Sequence, residues 1–390
     1  MTTTPPKRPD KPLVLGQRTD TPAVLGEPAP AGTGQLDAVS CANAERCWAV
    51  GAPAPSALDG PTPLGPPSAA VVDATADGGK TWAAQQLTLT PLPTLTGISC
   101  PSTRLCMTVG LSGSGTAGIV LTTHDAGASW AQVSVPTGAV IITSIECAGI
   151  AECTAIASDG TTFWSADSTD FGLTWDREGN LPPGLEDAGN LSCVAGASCL
   201  VTGFTATTAG HGQGAVAVST DGGETWTAAA VPSGAGLVQG VGCATISSCL
   251  AVGTTSTTVS SVVPARGALL ASHDGGHTWV MSAGPQPVDD MYGIDCPSRS
   301  ICAVVGTDWV GTPAVGTGAV ASSRDGGATF TPSSTQYTPL ALTALACPTV
   351  HGCVAVGGDT VARVRLPQVA RPRVHARGRA VPHAPPTSMR

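Results

Sequence analysis

Short runs in which apolar residues alternate with polar or small ones fill this chain, and no long stretch has the 3.6-residue period of an amphipathic helix. Four such runs recur in a fixed order. The first ends at a cysteine (LDAVSC, LTGISC, ITSIEC, GNLSC, VQGVGC, MYGIDC and LTALAC), and the second begins at the next one (CWAVG, CMTVG, CTAIA, CLVTG, CLAVG, CAVVG and CVAVG). A third leads into an Asp-containing turn (AAVVDAT, GIVLTTH, TTFWSAD, AVAVST, ALLASH and AVASSR), and a fourth follows an aromatic residue (WAAQQLTL, WAQVSVP and WTAAAVP). Alternation bounded by turn residues predicts β-strands. Runs that are apolar at nearly every position predict strands covered on both faces. Four short strands per repeat, stacked against their neighbours, is the pattern of a propeller blade.

The cysteines set the period. All fourteen fall into seven pairs with five residues between: Cys41/Cys47, Cys100/Cys106, Cys147/Cys153, Cys193/Cys199, Cys243/Cys249, Cys296/Cys302 and Cys347/Cys353. Successive first cysteines lie 59, 47, 46, 50, 53 and 51 residues apart, and the Pro/Gly-rich insertion 51–68 reads as a loop in the first unit. The gap of five puts each pair at the facing ends of the first and second strands, within disulfide range across a hairpin. One such pair per repeat, with seven histidines in the chain and none regularly beside the pairs, does not supply four ligands at a zinc spacing. Disulfides are therefore expected, and neither a metal nor another cofactor.

Six of the pairs are followed by an octapeptide: TADGGKTW, THDAGASW, STDFGLTW, STDGGETW, SHDGGHTW and SRDGGATF. The common form is Ser/Thr-x-Asp-x-Gly-x-Ser/Thr-Trp/Phe. The Asp carboxylate accepts backbone N–H groups of a tight turn, Gly takes a left-handed conformation, and the aromatic ring packs inward from the start of the next strand. This octapeptide resembles the Asp-box, or BNR repeat, of the sialidase-like propeller superfamily, which also resembles photosystem assembly factors, xyloglucan-cleaving glycosidases and sortilin-type receptors. The resemblance covers essentially 35–366. It implies that Asp77, Asp125, Asp170, Asp221, Asp274 and Asp325 are structural and lie on the face away from any catalytic centre.

The expected architecture is all-β: a seven-bladed β-propeller of four-stranded blades, each clasped by its own Cys-x5-Cys disulfide. The seventh unit, from about 341, has only three strands, so PLVLG at 12–16 or PAVLG at 22–26 is expected to supply its fourth and close the ring. The chain then divides into an N-terminal extension 1–34, a propeller 35–366 and a basic Pro/Arg-containing tail 367–390. Of the 390 residues, 1–34 carry a net charge of +1, the last 25 carry +5, and the remainder carries −15. So negative a body repels phosphate backbones and excludes nucleic acid as its partner. No apolar run approaches membrane-spanning length, so no transmembrane segment is expected, and a monomer is.

Seven disulfides imply an oxidising space, outside the cell or on its surface. Against this, the first thirty residues contain no apolar stretch of about 7–15 residues and do not read as a signal peptide. Arg outnumbers Lys 15 to 3, which together with abundant Ala, Gly, Pro and Thr indicates a GC-rich bacterial coding sequence.

The resemblance would bring sialidase chemistry only with an arginine cluster, a Tyr nucleophile with a Glu partner, and an acid/base Asp. Only Tyr292 and Tyr337 exist, Arg46, Arg104 and Arg299 fall in the cysteine hairpins, Arg324 falls in an Asp turn, and no Arg-Ile-Pro segment is found near the first blade. Sialidase activity is not expected. Glycoside hydrolysis in general needs two carboxylates at a suitable separation. The loops after the second and fourth strands hold Asp59, Asp159, Glu186, Asp187, Asp289, Asp290 and Asp308, with His211 their single histidine. Trp309 and Tyr292 accompany these acids and offer rings for stacking. The expected function is a non-enzymatic secreted or cell-surface scaffold that binds a glycan, peptide or protein through Asp187, Asp289, Asp290, Tyr292, Asp308 and Trp309. The alternative is a glycoside hydrolase using two of the loop-face acids.

Overall fold

A computed structural model of the chain describes residues 23–30, 34–53, 72–194, 197–206, 212–255, 266–310, 315–333 and 341–366. Among these, 28 strands, β1 to β28 in chain order, form seven four-stranded antiparallel sheets. Blade 1 sets the rule: β2 (Gln35–Cys41), β3 (Cys47–Ala52), β4 (Val72–Thr75) and β5 (Ala83–Gln85) lie side by side in sequence order. Blades 2 to 6 repeat it from β6 (Thr94–Ser99), β10 (Ile141–Cys147), β14 (Leu185–Val194), β18 (Leu237–Thr245) and β22 (Asp290–Asp295). Blade 7 combines β26 (Ala344–Thr349), β27 (Gly352–Gly357) and β28 (Thr360–Arg365) with β1 (Ala23–Pro28). Ala23 pairs with Arg365 and Pro28 with Thr360. The closing strand is thus the 22–26 candidate, while 12–16 and the tail 367–390 lie outside the described residues. First strands of successive blades touch all the way round, β26 returning to β2, so the ring is closed.

Burial follows the joints between blades. Seven apolar clusters occupy the seven interfaces, and six of them take in the aromatic residue of an Asp turn: Trp82, Trp130, Trp175, Trp226, Trp279 and Phe330. Each ring packs against the preceding blade, so the octapeptide that ends one wedge also seals it to its neighbour. The 6/7 joint has no such ring and uses Val24, Ile301, Leu342 and Leu366 instead. Fourth strands are shorter than the sequence pattern, down to the exposed pair Ala131–Gln132 in β9. An outermost strand pairs along one edge only, so little holds it in register beyond the aromatic anchor.

Six first strands carry a β-bulge. The Gly ending the second-strand motif faces it: a Cβ on Gly51 would stand 1.8 Å from the Gln35 carbonyl oxygen, and one on Gly306 equally close to that of Asp290. A side chain at these glycines would force the facing strand to shift, whereas blade 3 carries Ala157 at this place and keeps its bulge at the equivalent position, between Ile142 and Ser144.

All seven disulfides join the expected partners, with Cα atoms 3.9 to 4.1 Å apart. The hairpins that carry them are less uniform than the expectation of a second strand opening at its cysteine. In blades 4, 5 and 7 that strand opens one residue earlier, at Ser198, Ser248 and Gly352, which places Cys199, Cys249 and Cys353 one position inside it. The cause is extra pairing beyond the bridge, Val194 with Ser198, Thr245 with Ser248 and Thr349 with Gly352. Blade 5 shows the effect at Cys249. A register shift between Cys243 and Thr245 tightens the blade-5 turn and brings Cys249 Sγ to 4.0 Å from the Thr245 carbonyl oxygen. The Cys249 sulfur is bonded to Cys243 and has no proton to donate, so this approach is a packing contact and the role of Cys249 is the bridge alone.

The Asp turn is regular from blade to blade. In blade 4, Ser219 Oγ donates to Asp221 Oδ1 (2.7 Å) and accepts from Gly223 N (2.8 Å), and Thr225 N donates to the same carboxyl oxygen (2.9 Å). Hydrogen bonds from the Ser or Thr four residues on hold Asp77, Asp125 and Asp221 down at about 2, and the other three carboxyls below their ordinary range. The residue after each Asp then donates its N–H to the cysteine hairpin of the same blade, as Gly222 does to Ala197 O (2.9 Å) and Ala126 to Arg104 O (3.0 Å). Asp turns and disulfides therefore share one face.

At that position four turns carry Gly, but Ala126 (φ 66°) and Phe171 (φ 58°) are L-residues held in the left-handed region. Ala126→Gly is expected to stabilise the protein by about 0.5–1 kcal/mol, relief of left-handed strain outweighing the added freedom of the unfolded chain. A thermal melt displaced upward by about 2 °C checks this.

Candidate functional site

The face opposite the disulfides is where the candidate ligand-binding residues were expected, and five of the six come together there in blade 6. Trp309 is the last residue but one of the second strand, β23 (Cys302–Val310), and its backbone N–H donates to Asp289 Oδ2 (3.0 Å) while its indole Nε1 donates to Asp290 Oδ2 (2.7 Å). Trp309 pairs across the hairpin with Gly316, which lies so close beneath the ring that an added Cβ would stand 3.1 Å from it. The indole is therefore fixed from below and from its edge, and 37% of the residue stays exposed. Burial raises the Asp290 carboxyl, with the Asp289 charge adding and the Trp309 hydrogen bond opposing. Burial likewise raises Asp308, assisted by Asp289, and raises the Tyr292 phenol, assisted by Asp290.

The sixth candidate, Asp187, stands apart. It lies in β14, two blades away, against the central channel, and burial raises its carboxyl. Several of these acids are not in loops as the sequence pattern implied. Glu186 and Asp187 belong to β14, Asp290 to β22 and Asp308 to β23, because the hydrogen-bonded pairing of these hairpins continues past the apolar alternation through polar residues and glycine. Asp159 is taken up by its own turn, where it accepts from the N–H and hydroxyl groups of Thr161 and Thr162. Asp59 and His211 lie outside the described residues.

A channel of about 940 Å³ runs on the ring axis, lined by the first strands of all seven blades. Two belts of side chains stitch these strands together. Near the loop face, Thr96, Thr143 and Thr343 each donate to a carbonyl of the next blade, at Ile142, Ala188 and Leu36. Near the disulfide face, the residue before the first cysteine reaches across to the cysteine N–H of the next blade from four of the blades. Ser40 accepts from Cys100 (3.0 Å), Ser99 from Cys147 (3.0 Å), Glu146 from Cys193 (2.7 Å) and Asp295 from Cys347 (2.7 Å).

Glu146 and Asp295, three blades apart, face into one lumen. Burial pushes Glu146 up to about 7, the Asp295 charge adding and the Cys193 N–H opposing, and burial pushes Asp295 up to about 6. With Asp37 and Asp187 they make four carboxylates in a channel wall that, among the described residues, contains no Lys, Arg or His. Sequence reasoning passed over Glu146, Asp295 and Asp37, although a signal was present. The residue before the first cysteine is Ser, Gly or Ala in five units and acidic in the other two.

With this geometry in place, comparison with known proteins is informative about architecture. The BNR/Asp-box repeat family matches over residues 217–228, the fourth Asp turn with its flanks. The chain resembles the BNR-type β-propellers. YCF48 solved with a D1 peptide shares 15% identity, covers 88% of this chain and 98% of its own, and superposes with a TM-score of 0.61. A GH74 xyloglucanase from Xanthomonas campestris shares 14% identity over 90% of this chain and 55% of its own, with a TM-score of 0.56. Virginiamycin B lyase from Staphylococcus aureus shares 10% identity over 88% of this chain and 99% of its own, with a TM-score of 0.60. At these identities the likeness is one of fold. A search of curated protein sequences gives no match.

Proposed function

We propose that this protein is a non-enzymatic propeller of an oxidising, extracellular or cell-surface compartment, and that it binds a peptide or protein segment through the blade-6 face. The carrying observation is the fixed, exposed Trp309 indole with Asp289 and Asp290 at its anchored edge. An aromatic face beside carboxylates suits a Lys or Arg side chain, which gains a cation–π contact and charge complementarity together. The net charge of −15 over residues 35–365 favours cationic partners in the same direction. The YCF48 neighbour carries its peptide on a propeller of the same architecture. Seven disulfides, with no free cysteine among the described residues, support the compartment.

A glycoside hydrolase is the second reading, supported by the xyloglucanase neighbour. Two observations weigh against it at this face: Asp289 and Asp290 are engaged by Trp309, and Asp187 is two blades away. The test is a panel of immobilised Lys- and Arg-bearing peptides beside a glycan array, probed with the intact protein. Retention on peptides that falls at least about 10-fold with Trp309→Ala, while the melting temperature holds, supports the scaffold. Release of reducing sugar from the glycans, abolished by Asp290→Asn, makes the protein a hydrolase instead.

A further inference from the structure

The mouth of the channel on the disulfide face has an acidic interior and, among the described residues, no internal cation. Glu146 and Asp295 stand one residue before the first cysteines of blades 3 and 6, just inside that mouth, and each has a backbone N–H on one oxygen. Two residues before Glu146 on the same strand, Ser144 lines the same channel at 7% exposure, and its hydroxyl has no hydrogen-bond partner. Burying like charges opposite one another is costly unless a counter-charge enters. The hairpin loops at the rim carry Arg46, Arg104 and Arg299 against Glu45 and Glu152, so the rim is mixed in sign while the lumen is negative throughout.

The chain supplies a matching cation. Residues 367–390 carry Arg371, Arg373, Arg377, Arg379 and Arg390 and no acid. The point of departure is fixed: Leu366 N donates to His351 O (2.9 Å), and His351 sits inside the Cys347–Cys353 hairpin, on the face where the mouth opens. β28 is two strands from the innermost strand of its blade, about 10 Å at a spacing of about 4.8 Å. An extended chain advances about 3.3 Å per residue, so the segment reaches the axis with the arginines that begin at position 371.

We propose that the basic segment 367–390 docks in cis at the disulfide-face mouth of the central channel, its arginines pairing with Glu146 and Asp295. Guanidinium groups make bidentate bonds to carboxylates and bring a donor for the Ser144 hydroxyl. Tethering raises the effective concentration of the segment at its site, so a modest intrinsic affinity is enough. The site lies on the opposite face from Trp309 and is independent of what that ring binds.

Trypsin tests this on the intact protein, because it cuts after Arg373, Arg377 and Arg379, whereas Pro372 blocks cleavage after Arg371. At low salt, cleavage of the wild-type segment is expected to be at least 10-fold slower than in Glu146→Gln/Asp295→Asn, and 1 M NaCl should abolish the difference. Both substitutions keep an oxygen for the cysteine N–H, and equal melting temperatures at pH 5 confirm that the variant is folded. A second measurement uses the full chain with the four arginines 371, 373, 377 and 379 changed to Gln, titrated with labelled synthetic 367–390. This protein should bind the peptide at least 10-fold more tightly than wild type, whose own segment competes, and binding should be lost in the Glu146→Gln/Asp295→Asn background. Equal cleavage rates, or peptide binding that ignores the two carboxylates, overturns the proposal. Protection that grows with protein concentration overturns docking in cis and places the segment on a second copy.

Discussion

Full reduction of the disulfides is expected to unfold this protein at room temperature. Each bridge closes a loop of about seven residues, which on the chain-entropy estimate stabilises the native state by about 2 kcal/mol. Seven independent bridges aggregate to on the order of 15 kcal/mol, as large as the whole stability of a typical domain, roughly 5–15 kcal/mol. Their sites are deeply built in: Cys47, Cys106 and Cys199 have no exposed surface, and both cysteines of each bridge belong to the cluster that joins their blade to the preceding one. The measurement is far-ultraviolet circular dichroism after reduction in 3 M guanidinium and removal of denaturant with reductant retained. Fourteen titratable thiols with loss of the β signal is the expected result, and fourteen thiols with an intact cooperative melt would show that the joints alone hold the ring. Removing one bridge, by Cys147→Ser with Cys153→Ser, should cost about 2 kcal/mol and lower the melting temperature by about 4–8 °C.

The second large effect is a stability that falls as pH rises through neutrality. The Glu146 and Asp295 carboxyls, near 7 and 6, are raised by burial above their unfolded values, and so is Asp167, pushed up to about 6 chiefly by burial. Between roughly pH 4.5 and 7 the folded protein therefore binds more protons than the unfolded chain, and stability declines with increasing pH across that window. Glu146→Gln with Asp295→Asn removes the charge but keeps both acceptors. At pH 8 and 0.5 M NaCl, where the basic tail is screened, this variant is expected to be more stable than wild type by about 3 kcal/mol, discounted for channel water, or about 8 °C. At pH 5 the two should melt together. The Asp-turn carboxyls act with opposite sign: being depressed, their contribution is present above pH 4 and is lost as pH falls towards 2. The melting profile of wild type should peak at roughly pH 4–4.5, and a flat profile from 5 to 8 would contradict the buried pair.

The seven blades, the disulfide pairing and the six Asp turns were legible in the sequence because each rests on contacts within about 20 residues of chain. A Cys-x5-Cys hairpin and an octapeptide turn carry their own geometry, and fifty-residue repetition assembles them. The N-terminal origin of the closing strand was also legible, since β26, β27 and β28 leave one place unfilled. The site was harder. Which acids share a lumen depends on how seven strands from separate blades converge, and sequence spacing does not encode that convergence. Asp289, Asp290, Asp308 and Trp309 were readable as a group because one hairpin holds them. Glu146 and Asp295 lie 149 positions apart in the sequence numbering and meet only through the ring. The lengths of β14 and β23 were misjudged for a related reason: their outer ends are polar, and hydrogen-bond pairing with the adjacent strand, not apolar alternation, sets where they stop. The same holds at the turn beside Cys249, where pairing of Thr245 with Ser248 carries the blade-5 hairpin past the cysteine at which the apolar run begins.

Pairing of Ala23 with Arg365 brings the two flanks of the chain out side by side on the face of the disulfide hairpins. A tether through either flank, whether to a cell envelope, a fusion partner or a sensor chip, would orient the disk like a plate on a stalk, hairpins inward and Trp309 outward. Load applied to both flanks at once would open the β1–β28 seam one residue pair at a time, since the antiparallel register lets the strands unzip.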